Sequence, residues 1–120
     1  MDIDDLYTAD LHDEGAEMKV KTREGKETDM VLILMGADSK VFRKELLSMK
    51  REMAINPDCD IDEAKAKCLA AITKGWKNFN SKGKELKFSK KLVKNLYVKS
   101  PYIMDEVDIF INNNANFTRG

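Results

Sequence analysis

Four groups of residues in this chain have side chains that could do chemistry. His12 is the single histidine, set among carboxylates at Asp10, Asp13 and Glu14. A general base needs a group that positions it and a nucleophile to serve. No serine or cysteine stands near His12 in sequence, so a solvated imidazole in a mobile acidic segment is expected. Cys59 and Cys68 have only His12 to join them as a nitrogen ligand. Zinc takes about four ligands, commonly from paired C-x-x-C or H-x-x-x-H units. Neither unit occurs, and both cysteines read as ordinary small residues. The pairs Asp4–Asp5 and Asp13–Glu14 could hold a metal or share acid–base work, but they lack the fixed spacing of a calcium loop and read as surface charge. No glycine-rich nucleotide loop and no nucleophile elbow is present. The expected catalytic, metal and cofactor sets are therefore empty, and an enzyme is not expected.

The fourth group is the run Gly75–Lys91, "GWKNFNSKGKELKFSKK", which holds the only tryptophan. A single-strand nucleic-acid binder exposes aromatics in a basic groove so that bases stack on them. Trp76, Phe79, Leu86 and Phe88 alternate with Lys77, Lys82, Lys84 and Lys87, which fits that scheme on its surface. The segment has no arginine, however, the residue favoured for bidentate phosphate and guanine contacts. Its apolar side chains also fall on one side of a two-armed turn. Trp76, Phe79, Leu86 and Phe88 are thus expected to form a structural plug over the helices. Lys82, Lys84 and Lys87 would then face water or an acidic partner.

The elements that must position these residues follow from periodicity. Ile3, Leu6, Tyr7 and Leu11 suit a short helix with aspartates at its positive end, in an acidic segment 1–15 expected to gain order from a partner. "AEMKVKT" alternates as a half-solvated strand, "REGKE" turns, and "DMVLILMG" runs apolar from Met30 to Met35. A continuous apolar strand calls for cover on both faces, so Met30, Leu32 and Leu34 are candidate partner-binding positions. The alternative is that helices of the same chain sandwich the hairpin 16–36. Phe42, Leu46, Met49 and Met53 mark an amphipathic helix started by Asp38 or Ser39 and closed by Pro57. Asp60 and Glu63 begin the next helix, with Ile61, Ala64, Cys68 and Ile72 as its buried stripe and Gly75 as its stop. Ser89 caps a helix with Leu92, Val93, Leu96 and Tyr97 apolar. Ser100 and Pro101 open the last one, whose stripe is Ile103, Val107, Phe110 and Ile111. Phe117 is placed to dock back. The expected fold is α+β, mainly α-helical: an N-terminal β-hairpin, then about four helices, with a short extended turn between the second and third.

At 120 residues one domain, 1–120, accommodates the whole chain, with its helical part over 38–117. No run of about 18 apolar residues is present to span a bilayer, and the acidic start lacks the basic and apolar regions of a signal peptide, so a cytosolic address is expected. The net charge is zero but unevenly spread. Residues 1–18 carry seven acids and no lysine or arginine, whereas residues 74–99 carry nine lysines against Glu85. Such a division suits self-association or a charged partner, or else two segments that neutralise each other within one fold.

The order "TKGWKNF", "GKELKFSKKLVKNLY", "SPYIMDEVDIFINNNANF" resembles the tail assembly chaperones of long-tailed, non-contractile (siphovirus-type) bacteriophages. The likeness is loose over residues 16–117 and close over 75–117, and it lies in the order of packing patterns rather than in any single motif. It implies a non-enzymatic protein that binds the tape-measure protein, keeps that long apolar helix soluble and helps recruit the tail-tube protein. It also implies self-association around the client, action in the host cytoplasm, absence from the mature virion and, in many members, a longer frameshifted form. Methionines such as Met30, Met35 and Met104 would suit adaptable contacts with a helical client. A structural subunit of the tail or head–tail junction, and a small single-strand nucleic-acid binder, are the competing expectations.

Overall fold

Alternating side chains make residues Ala16–Lys21 the first strand, β1, and Glu27–Leu34 the second, β2, joined as an antiparallel hairpin. The computed structural model describes residues 1–118; Arg119 and Gly120 lie outside the described residues. The register sets Met18 opposite Leu32 and Lys19 opposite Val31. Because successive side chains point to opposite faces, Met18, Val20, Leu32 and Leu34 share one buried face. The architecture is α+β, mainly helical, with this hairpin near its start.

A third strand, β3 (Thr73–Lys77), pairs antiparallel with the free edge of β2 and makes the order β1-β2-β3. This corrects the expectation that Gly75 stops a helix. The helix ends at Ala71, and Gly75 lies within the strand, opposite Ile33, with Trp76 opposite Leu32. On the opposite face of the sheet the alternative of a sandwich within one chain is not found: among the described residues no helix of the chain covers that face. Val31 and Ile33 are half-buried there between exposed Glu17, Lys19 and Lys77, and Lys77 pairs with Glu17 across β2. The apolar run Met30–Met35 is therefore buried at alternate positions, and long charged side chains shelter the rest.

The described residues form five α-helices: α1 (Ala9–Glu14), α2 (Lys40–Ile55), α3 (Ile61–Ala71), α4 (Lys90–Lys99) and α5 (Pro101–Ile111). Single-turn 3-10 helices occupy Ile3–Leu6 and Asn114–Asn116. Ser39, Asp60 and Ser89 each accept a hydrogen bond from the backbone N–H three residues on, at 3.1, 3.2 and 3.1 Å, which satisfies an otherwise orphaned donor. Ser100 holds the N-cap position before Pro101, but its side chain makes no capping bond. The C-terminus of α3 is closed from outside the helix. Lys90 Nζ donates to the carbonyls of Ala70, Ala71 and Thr73 at 3.2, 2.9 and 2.7 Å, a cation where the helix dipole is negative. Its desolvation lowers the ammonium pKa from the ordinary lysine value.

Two stripes need correction. Ile61 is 59% exposed and Leu92 is 38% exposed; Cys68 and Ile72 are buried as expected, Ala66, Leu69 and Ala70 complete the inward face of α3, and Val93 and Tyr97 carry that of α4. Periodicity locates such a stripe but leaves its edges to the neighbouring element. In α5, Ile103, Met104, Val107 and Ile111 are buried.

Thr73 links sheet and helices. Its Oγ1 donates to the Leu69 carbonyl at 2.8 Å, so the Tyr97 hydroxyl, 2.7 Å away, is the donor in the second bond. Burial raises the Tyr97 pKa, the Thr73 bond opposing it. Thr73→Val leaves a buried phenol without an acceptor, whereas Tyr97→Phe leaves Thr73 still bonded to Leu69. Unpaired buried polar groups cost about 1–3 kcal/mol, and a net bond about 1 kcal/mol. Urea titration is expected to show the larger loss for Thr73→Val; an equal or smaller loss would contradict the assigned donor.

Candidate functional site

The lysine-rich stretch folds into a small hairpin, β4 (Asn80–Ser81) and β5 (Lys84–Glu85), hanging from β3. Lys82 and Gly83 form its two-residue loop with φ of 52° and 80°. Positive φ at both loop positions is the type I′ turn that matches strand twist. The turn directs Lys82, Lys84 and Lys87 to solvent, where all three are exposed. The apolar residues go the other way. Phe79 is buried; Trp76, Leu86 and Phe88 are half-buried. Trp76 stacks on Phe79 with ring centroids 4.6 Å apart and meets Phe88 edge-on at 5.3 Å. Its indole N–H donates to the Leu86 carbonyl at 2.8 Å. One tryptophan face and its only polar atom are thus occupied within the hairpin, a good arrangement for an amphipathic ring.

The three β2 positions separate. Leu32 and Leu34 are fully buried on the core face; their side chains cannot meet a partner without opening the core. Met30 is half-buried at the end of the same face and packs on the core cluster. The β2 side chains on the solvent side of the sheet are instead Val31 and Ile33.

His12 departs furthest from its expected place. It is 2% exposed, in α1, not a solvated side chain. Nδ1 accepts from the Asp38 backbone N–H at 2.9 Å, which leaves the proton on Nε2, 2.8 Å from Asn114 Oδ1. The ring stacks on Phe117, centroids 4.4 Å apart. Thr8 donates its hydroxyl to the Asp38 carboxylate, and Asp13 accepts from the Lys40 N–H at 2.9 Å. One imidazole therefore joins α1, the link from β2 to α2, and the C-terminal turn. Gly36 makes the room: a Cβ there would lie 2.0 Å from His12 Nδ1. The sequence signals were Phe117, expected to dock, and Asn114, whose partner nothing local could reveal.

Other polar groups in the core are committed in the same way, Ser39 to capping α2 and Thr73 to Tyr97 and Leu69. Burial, with smaller contributions from the charges of Glu45 and Asp108, pushes the Cys68 thiol up to about 11, so it stays protonated and inert at neutral pH. Cys59 is half-buried, and both thiols are free. Among the described residues no three His, Cys, Asp or Glu side chains come together as a metal-binding group. No helix among them is long and apolar enough to cross a membrane.

The large apolar side chains most open to solvent lie in the N-terminal segment (Met1, Ile3, Leu6, Tyr7), on α2 (Leu47, Ile55), at the start of α3 (Ile61), on α4 (Leu92, Val98) and on α5 (Ile109). Comparison of the chain with protein-family models, curated proteins and solved structures gives no match.

The fit between Gly36 and His12 is open to a double-mutant cycle. Gly36→Ala overpacks the site and is expected to cost about 1–3 kcal/mol. In a His12→Ala background the same change meets a vacated space. The double variant should therefore lose less than the sum of the two single losses by about 1 kcal/mol or more. Simple additivity in urea denaturation would refute the coupling.

Proposed function

We propose that this chain is a non-enzymatic tail assembly chaperone of a long-tailed, non-contractile bacteriophage. It binds the tape-measure protein, keeps it soluble and helps recruit tail-tube subunits. It works in the host cytoplasm and is absent from the mature virion. The observation that carries this reading is the ordered pattern of residues 75–117. Its pattern-bearing side chains, Trp76, Phe79, Phe88, Tyr97, Val107 and Phe117, all pack inward or against one another. A pattern of this kind marks a scaffold, and the interaction falls to exposed side chains around it. Buried histidine, serine and threonine are taken up in holding elements together, which supports binding over catalysis.

The exposed residues suit a helical client with apolar surface. Leu92, Val98 and Ile109 stand out from α4 and α5, and Lys82, Lys84 and Lys87 offer cations beside the plug. Helix-in-groove contact is the corresponding mode. A structural subunit of the tail is the second reading, favoured by the opposite charges of residues 1–18 and 74–99, which suit repeating contacts between copies. Presence of the chain in purified virions would favour it.

Co-expression with the tape-measure protein of the same phage is expected to give a soluble complex that survives about 0.5 M salt, since screening leaves apolar contacts intact. An insoluble client without a complex would overturn the chaperone reading.

A further inference from the structure

Two exposed apolar surfaces in this molecule carry opposite charge. The first is the N-terminal segment. Ile3, Leu6 and Tyr7 are 66, 63 and 62% exposed, and nothing in the 3-10 turn Ile3–Leu6 is buried. Asp2, Asp4 and Asp5 are interleaved with them. The second is the outer face of α4, where Leu92 and Val98 line a shallow groove with Lys91, Lys94 and Asn95, bordered by Glu63 of α3. Lys94 is engaged with Glu63 at 3.2 Å. Lys91 and Lys99 are exposed, and no ion pair among the described residues involves either.

We propose that residues 1–7 of one copy dock on the α4 groove of a second copy, placing Ile3 and Leu6 on Leu92 and Val98 and the aspartates against Lys91 and Lys99. Charge complementarity selects the occupant: an acidic segment with unburied apolar side chains meets a basic groove with unburied apolar side chains. The chain's own segment is held elsewhere. Thr8 is bonded to Asp38 and His12 is buried, and Asp4, Asp5, Tyr7 and Thr8 lie beside Asn114, Phe117 and Thr118. The contact is heterologous, since the two surfaces differ. Copies can therefore link head to tail into rings or open chains, or exchange segments as a reciprocal pair. Leu92 and Val98 are also client-facing in the chaperone reading, so a bound client and a docked segment would compete for them, but the contact between copies needs no client.

Sedimentation velocity over a range of protein concentrations tests it with two variants altered only at exposed positions. Ile3→Asp/Leu6→Asp removes the segment's apolar contacts and keeps the groove. Lys91→Glu/Val98→Asp disables the groove and keeps the segment. The wild type is expected to associate, and each variant alone to associate at least tenfold more weakly, with Trp76 fluorescence unchanged as the check on folding. An equimolar mixture of the two variants retains one intact contact and is expected to give dimers and nothing larger. A wild type that stays monomeric throughout, variants that assemble as the wild type does, or a mixture that gives no dimer would each overturn the proposal.

Discussion

Main-chain N–H and C=O groups in a buried strand must all find partners, and β2 finds them on both edges. One edge is supplied by β1, a few residues upstream. The other is supplied by β3, which the chain reaches only after α2 and α3. That second pairing decides where the rest goes. Seating Trp76 opposite Leu32 hangs the β4–β5 hairpin beside the sheet, brings Phe79 and Phe88 onto the tryptophan and starts the return through α4. It also sets Thr73 under Tyr97, so that sheet and helices share one buried hydrogen-bond pair.

The His12 junction completes this arrangement from the ends of the chain. An imidazole with one nitrogen accepting and the other donating has a single productive orientation, and stacking on Phe117 fixes it further. The acidic N-terminal helix is in this way attached to the core, while residues 1–7 beyond it keep their apolar side chains outside. Burial stops where partners within the chain stop. The same division appears in α4, where Val93 and Tyr97 are enclosed and Leu92 and Val98 are not.

Local pattern made much of this legible. The alternation at Met18 and Val20, the caps at Ser39, Asp60 and Ser89, and the stripe Ile103–Val107–Ile111 each depend on near neighbours in sequence, and each is found where the spacing puts it. What local pattern could not reveal depends on distant pairing. "TKG" after an alanine-rich helix has the composition of a helix end, and only the open edge of β2 makes Thr73–Lys77 a strand. His12 sits among carboxylates in sequence and among Asn114, Phe117 and Gly36 in space. Leu32 and Leu34, expected as partner-binding positions, face the core instead, and the outward placement of Ile61 and Leu92 depends on neighbours that periodicity does not supply.

Aromatics and buried polar groups hold the fold, and under the proposed function the exposed apolar and lysine side chains, a different set of residues, meet partners. Amide hydrogen exchange, measured on the chain alone and with the tape-measure protein, addresses that division most directly. Slowed exchange is expected at exposed elements such as α4 and the β4–β5 hairpin, with β2, β3 and the Trp76 plug already protected and unchanged. Loss of protection in β3 and around Trp76 on binding, or no change anywhere, would contradict that division.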